Sequence, residues 1–367
     1  MMIVRLADGD SKTYCRSSES ECENTMQVVM APMPTPRKNS SMNINILTIP
    51  TYAVVRAAHA HRMVPPTQAL PNSLVWQAIK HCILPMVLAL AAVTCWADML
   101  TAGKGSFQFR DEKGNPDKPI TVWYYRPAVM KPDTKIVIVM HGVDRNGEDY
   151  RDHWARYAEQ YNFLLLTPEF AEQYYPKDAY QFGNVRLSNT EQWTFSAIEH
   201  LFDHIKASEA LTAPTYYIYG HSAGAQFVHR YMLFMPNPRV ALAISANAGS
   251  YTLPIYPTWT QPAFPWSLDK SIVNEERLKS VFARNLLVLL GEDDIDPNHK
   301  HLPRSREAKA QGANRMERGK YFFNTAKETA ATLGTAYNWS LQTVPGVAHS
   351  DTGMSKAAVQ YIVANDH

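Results

Sequence analysis

The residues best placed to do chemistry are Gly220-His221-Ser222-Ala223-Gly224. An apolar, β-rich run, 215–219, precedes them, and a helix-like segment follows from Ala225. A serine on so tight a strand-to-helix turn lifts its hydroxyl clear of the sheet. Glycines beside it let backbone pass where a side chain would collide. The helix behind Ser222 turns its first amides toward the reacting centre and favours negative charge there. This is the setting for nucleophilic attack on a carbonyl, but a serine hydroxyl needs a base, and the base needs an acid to orient it. Both residue types follow downstream. Asn285–Leu290 is a short apolar run ending in Gly291-Glu292-Asp293-Asp294-Ile295-Asp296-Pro297. Trp339–Val344 reads as a later strand, followed by a loop that carries His349. The chain order is serine, acid, histidine. Upstream, Lys135–Met140 ends in His141-Gly142-Val143-Asp144, where a second amide can face the serine.

These groups need a scaffold, and the hydrophobic pattern predicts one. Ser106–Arg110 and Thr121–Arg126 read as an opening antiparallel pair, joined by turn residues at 111–116. Strands follow at Lys135–Met140, Phe163–Thr167, Thr215–Tyr219, Val240–Ser245, Leu286–Leu290 and Trp339–Val344. Helical spacing marks Arg151–Tyr161, Glu191–Ile205 and Met354–Val363. Strands alternating with helices predict an α/β fold, a mostly parallel eight-stranded sheet with helices on both faces. Two segments break the rhythm. Gly249–Trp266 is rich in proline and aromatics, so Tyr251, Trp259 and Trp266 are candidate substrate-binding residues, with a plain surface loop as the alternative. Phe170–Phe182, with four aromatics after its first residue, is a second candidate cover.

From about Gly105 onward the chain resembles the α/β-hydrolases. The segments His141-Gly142-Val143, Gly220–Gly224 and Gly291-Glu292-Asp293-Asp294 look most like the esterases that include polyhydroxyalkanoate depolymerases and feruloyl esterases. The resemblance implies Ser222 as nucleophile, His349 as general base and acid, and backbone amides of Ala223 and Val143 as the oxyanion hole. It points to Asp294, fourth in a Gly-x-x-Asp turn, as the acid; Asp296 and Asp293 are the alternatives. His141 and His221 are expected to fix their loops, and Asp144 and Arg145 to pair at the rim or stand in solvent. The implied reaction is hydrolysis of a carboxylic ester through an acyl-serine. The alternatives are a serine peptidase or amidase on the same fold, or a silent hydrolase fold used for binding.

A formal net charge of +2 gives no case for nucleic-acid partners. No H-E-x-x-H or tight Cys/His cluster occurs, so no metal is expected, and the chemistry needs no cofactor. Cys15, Cys22, Cys82 and Cys95 all precede the hydrolase region, which is expected to fold without disulfides. Residues 1–79 lack periodicity and read as a disordered or mis-called extension, with Met63 as a later start. In 80–97 a basic lead, an apolar run from Cys82 to Val93 and small residues up to Ala97 describe a signal peptide. A membrane anchor or buried helix is the competing reading. The catalytic domain is then 98–367, secreted or periplasmic, with a small or polymeric ester as partner and no lasting membrane insertion.

Overall fold

The computed structural model describes residues 100–255, 262–268 and 271–365. The expected leader and extension lie outside them, as does Trp259.

Eight strands form a single sheet in the order β1-β2-β4-β3-β5-β6-β7-β8. They are β1 Gly103–Phe109, β2 Ile120–Arg126, β3 Ile136–Met140, β4 Leu164–Glu169, β5 Tyr216–His221, β6 Val240–Ala246, β7 Leu286–Gly291 and β8 Ser340–Val344. β2 runs antiparallel to β1 and to β4, and every pairing from β4 to β8 is parallel. The parallel strands β3, β5 and β7 are buried along their whole length, because helices cover both faces and leave no polar side.

The period of two divides the inner strands between two cores. In β3, Val137 and Val139 join a core on one face, under α1 (Gly147–Tyr161) and the C-terminal helix α8 (Asp351–Ala364). Ile136, Ile138 and Met140 join the larger core on the other face. That face is covered by α2 (Lys177–Phe182), α3 (Ser196–Ser208), α4 (Ala223–Phe234), α5 (Glu275–Phe282) and α7 (Arg315–Thr332). A five-residue helix, α6 (Arg306–Ala310), precedes α7.

Two expected elements differ. The helix expected over Glu191–Ile205 begins at Ser196, and Thr190–Gln192 is a 3₁₀ turn capped by Asn189. Glu191 instead holds His200 of α3 at 2.9 Å, opposite Asp111 at 2.6 Å, which ties the β1–β2 loop to that helix. The helix expected from Arg151 starts a turn earlier, at Gly147. The aromatics of 170–182 mostly pack inward: Tyr175 and Tyr180 are buried and donate to the carbonyls of Lys118 and His141.

Candidate active site

The elbow is built from the end of β5 and the start of α4. Ser222 lies between them at φ 58°, ψ −112°, a region that residues with side chains rarely occupy. Its amide donates to the carbonyl of Ala246 on β6 at 3.0 Å, which locks the turn to the sheet. A Cβ on Gly220 would strike the backbone of Gly224, and one on Gly224 would strike the carbonyls of Met140 and His141. The glycines therefore let α4 approach β3 and β5 closely enough to present the serine. Ala223 is the first residue of α4, so its amide is one of the first-turn donors that the helix itself leaves unpaired.

The loops after β7 and β8 are tied together. Glu292 N–H donates to Val344 O at 3.0 Å and Asp293 N–H to Val347 O at 3.0 Å. Asn247, after β6, accepts from Gly291 N–H at 2.8 Å and donates to Ala348 O at 3.3 Å. This lattice of loops holds His349 between two partners. Its Nδ1 donates to Asp294 Oδ2 at 2.7 Å, and its Nε2 lies 3.0 Å from Ser222 Oγ, ready to accept the hydroxyl proton. Of the three aspartates only Asp294 is buried; Asp293 and Asp296 face solvent, and Asp296 accepts from the amide of Asn298. Burial lowers the pKa of His349, the bond to Asp294 works against that shift, and the nearby charge of Arg315 adds to it. The imidazole is thus kept neutral, the form that can take a proton.

Ser222 stands between two clefts. One, of ≈ 260 Å³, is lined by His349, His221, His153, Asp144 and Asp351. The other, of ≈ 320 Å³, is lined by Ala223, Gln226, Arg145, Lys177, Glu172 and Leu302. Val143 borders both.

The neighbouring histidines serve the loops. His141 is fully buried and accepts from Phe170 N–H at Nε2, 3.0 Å, while Nδ1 donates to Gly142 O at 2.9 Å. Burial takes its pKa to about 3, so it stays neutral and braces the Val143 loop. His221 is buried under the elbow against Tyr150 at 3.2 Å. Arg145 does not pair with Asp144. It lies over the Tyr180 ring, 4.2 Å from its centroid, and donates to the carbonyls of Phe170 and Tyr175.

Tyr251 and Trp266 do not stand where a substrate wall was expected. Tyr251 is fully buried and stacks on Phe322 at 4.4 Å, a core position. Gln311 holds its backbone at both N–H and C=O, which turns the start of that loop inward. Trp266 is half-buried and lines neither cleft at Ser222. Sequence reasoning also missed Arg315, which donates to Asp294 Oδ1 at 3.3 Å, and the pair His153–Asp351 at 2.8 Å. No motif flags such partners, since they meet only through the fold. Among the described residues, no cluster of His, Cys, Asp and Glu is arranged to hold a metal ion, and no helix is long and apolar enough to cross a membrane.

No family model and no curated protein matches the chain. Solved structures do. Poly(aspartic acid) hydrolase-1 from Sphingomonas sp. KT-1 is 37% identical with a TM-score of 0.68, covering 71% of this chain and 98% of its own. LpqC, a poly(3-hydroxybutyrate) depolymerase from Bordetella parapertussis, is 32% identical with a TM-score of 0.67, covering 71% and 89%. With identity at this level over almost the whole of both enzymes, the chain belongs to the α/β-hydrolase family of serine esterases, which hydrolyse carboxylic esters.

Proposed function

We propose that the enzyme works through an acyl-serine intermediate, with Ser222 as nucleophile, His349 as base and Asp294 as the acid that orients it. The observation that carries this reading is the unbroken hydrogen-bonded chain from Ser222 through His349 to Asp294, mounted on a strained elbow. His349 Nε2 takes the Ser222 proton as Oγ bonds to the ester carbonyl carbon. The carbonyl oxygen gains the charge, and the amides of Ala223 and Val143 stabilise it only at that stage. Collapse breaks the bond to the alkoxy group, which leaves with the proton from His349. Water then gives a proton to His349, attacks the acyl carbon and frees the acid and the serine. Because the leaving group must take its proton from His349, it belongs in the His349 cleft. The acyl group belongs in the cleft beside Ala223.

The substrate class proposed is an oligomeric or polymeric ester, supported by the polymer-cleaving names of both relatives. A second reading, amide cleavage, has its own support. The 37%-identical relative is named for poly(aspartic acid), whose units are joined by amide bonds, and the acyl-side cleft carries Arg145 and Lys177, cations suited to an acidic acyl chain. The basic-apolar-small run of 80–97 supports export, with action outside the cytoplasm.

A fluorophosphonate should label the wild-type enzyme at Ser222, and Ser222→Ala should lose turnover of p-nitrophenyl acetate by several orders of magnitude, about 10⁶-fold where a related triad has been dissected. An unlabelled wild-type protein would mean a silent fold. Parallel assays on 3-hydroxybutyrate oligomers and aspartate oligomers separate ester from amide preference.

A further inference from the structure

The acid beneath His349 is itself held from behind. Asp294 has two oxygens: Oδ2 accepts from His349 and Oδ1 accepts from Arg315 Nη1. Arg315 opens α7, on the far side of the carboxylate from His349, and only 1% of it reaches solvent. Its second nitrogen, Nη2, donates to His299 Nδ1 at 3.1 Å. The amide of His301 donates to that same Nδ1, so the His299 imidazole is neutral, with its proton on Nε2. The His299 ring in turn packs edge-on against His349, 4.8 Å between centroids. One buried guanidinium thus touches the acid directly and reaches the base through a neutral ring.

A structural anchor need not be a charge. Three residues on, the buried Arg318 shows what anchoring looks like: it donates to the carbonyls of Gly249, Pro303 and Gly312 and meets no carboxylate. Arg315 differs in spending its charge on Asp294, the carboxylate bonded to His349. In so dry a setting a fixed positive charge acts strongly on its neighbours.

We propose that Arg315 is a positioning residue of the ester hydrolase: it fixes the Asp294 carboxylate from behind and, by its charge, sets the pH range in which His349 is a base. The inference rests on the acyl-serine reading above. Other groups also face His349. Asp294, His299 and His301 come from the loop after β7, Asp351 from α8 and His221 from β5, while His153 of α1 borders the same cleft. Asp294 and Asp351 favour the imidazolium. His221, lowered by burial, is neutral, and Lys300, on the same cleft, is exposed to water, so Arg315 is the buried permanent cation set against those two carboxylates.

The sign follows. A cation near His349 disfavours its protonation, so the enzyme keeps a neutral base at lower pH than an unbraced aspartate–histidine pair would. Removing the cation raises the pKa of His349, and activity is lost at mildly acidic pH but returns as pH rises.

The test is the pH profile of kcat/KM for p-nitrophenyl ester hydrolysis by wild type, Arg315→Met, Arg315→Gln and Arg315→Lys. The two neutral variants should move the acidic limb upward by about one pH unit. Arg315→Lys, which keeps the charge, should return it toward the wild-type position. A uniform loss of rate with the limb unmoved in a folded neutral variant would overturn the proposal, leaving Arg315 an anchor. Should both neutral variants fail to fold, the imidazole titration of His349 by NMR in the wild-type enzyme decides. A midpoint below the ordinary value of about 6.5 is required, and one at or above it overturns the proposal. Failure of the acyl-serine reading itself would look different: wild type would not be labelled at Ser222 by the fluorophosphonate.

Discussion

At the scale of single residues, the loop after β7 sets three aspartates within four positions, and geometry separates them. Asp294 is buried with both oxygens engaged, whereas Asp293 and Asp296 face water. Asp294→Asn is expected to cut kcat steeply, toward the 10⁴-fold or so seen when a serine protease triad loses its carboxylate charge, because the imidazole then settles in the wrong tautomer. Asp293→Asn and Asp296→Asn should stay within about a factor of two, since exposed substitutions away from bonded networks change little. Steady-state kinetics on the three variants checks this, and a crippled Asp296→Asn would shift the acid by two positions. The residues alone leave all three aspartates open; the resemblance points to Asp294, fourth in the Gly-x-x-Asp turn that Gly291 opens, and it is Asp294 that meets His349 in the structure. Tyr251 was misread for another reason. An aromatic in a proline-rich stretch can face a ligand or the core with equal ease, and only Phe322, 71 residues on, decides in favour of the core.

At the scale of elements, the strands were easy to read and one long helix was not. Continuous apolar runs such as Ile136–Met140 and Leu286–Leu290 have few other uses in a soluble α/β chain, and the sheet uses them as central strands. α7 was missed because its buried face includes Arg315, Arg318 and Gly319 beside Phe322 and Ala326, a stripe too polar for the apolar periodicity to register. Its start did carry a local signal: Asn314 accepts from Glu317 N–H at 3.0 Å, while Glu317 reaches back to Ala313 N–H at 2.8 Å. The elbow makes the sharpest demand on an element. Gly224 lies where α4 crosses the end of β3, with no room for a methyl group between its Cα and the carbonyl of Met140. Gly224→Ala should push α4 outward, at a cost of about 1–3 kcal/mol in stability. Because Ser222 and the Ala223 amide ride on that helix, the rate should fall more than stability suggests, by about 100-fold for a displacement near 1 Å. Thermal melts set beside kcat for this variant make the check, and an active Gly224→Ala would show that the elbow tolerates a wider approach.

At the scale of the whole molecule, the question is where the working enzyme begins. The export reading puts the first residue of the mature chain at Asp98, and the described fold has an anchor just beyond it. Leu100 N–H donates to Glu209 Oε1 at 2.6 Å, and Thr101 Oγ1 lies 3.0 Å from the Tyr124 hydroxyl. Glu209, at the end of α3, also binds Arg126 of β2 at 3.3 Å, and its side chain is fully shielded from water. The segment just before β1 therefore ties an edge of the sheet to a helix on the larger core. A chain that starts at Asp98 keeps these bonds, and it should melt and turn over esters as the longer chain does. A chain that starts at Lys104 loses both, and leaves Glu209 Oε1 without its donor in a dry site. Such a loss costs about 1–3 kcal/mol, more where the group is charged. It should appear as a lower melting temperature with nearly unchanged kcat, since Ser222, His349 and Asp294 stand on the opposite half of the sheet's strand order, from β5 onward. Comparing melts and kcat for the two shortened chains, beside N-terminal sequencing of exported protein, tests both parts. A chain from Asp98 that is markedly less stable than the full chain would mean that residues before it belong to the fold and would count against cleavage at Ala97.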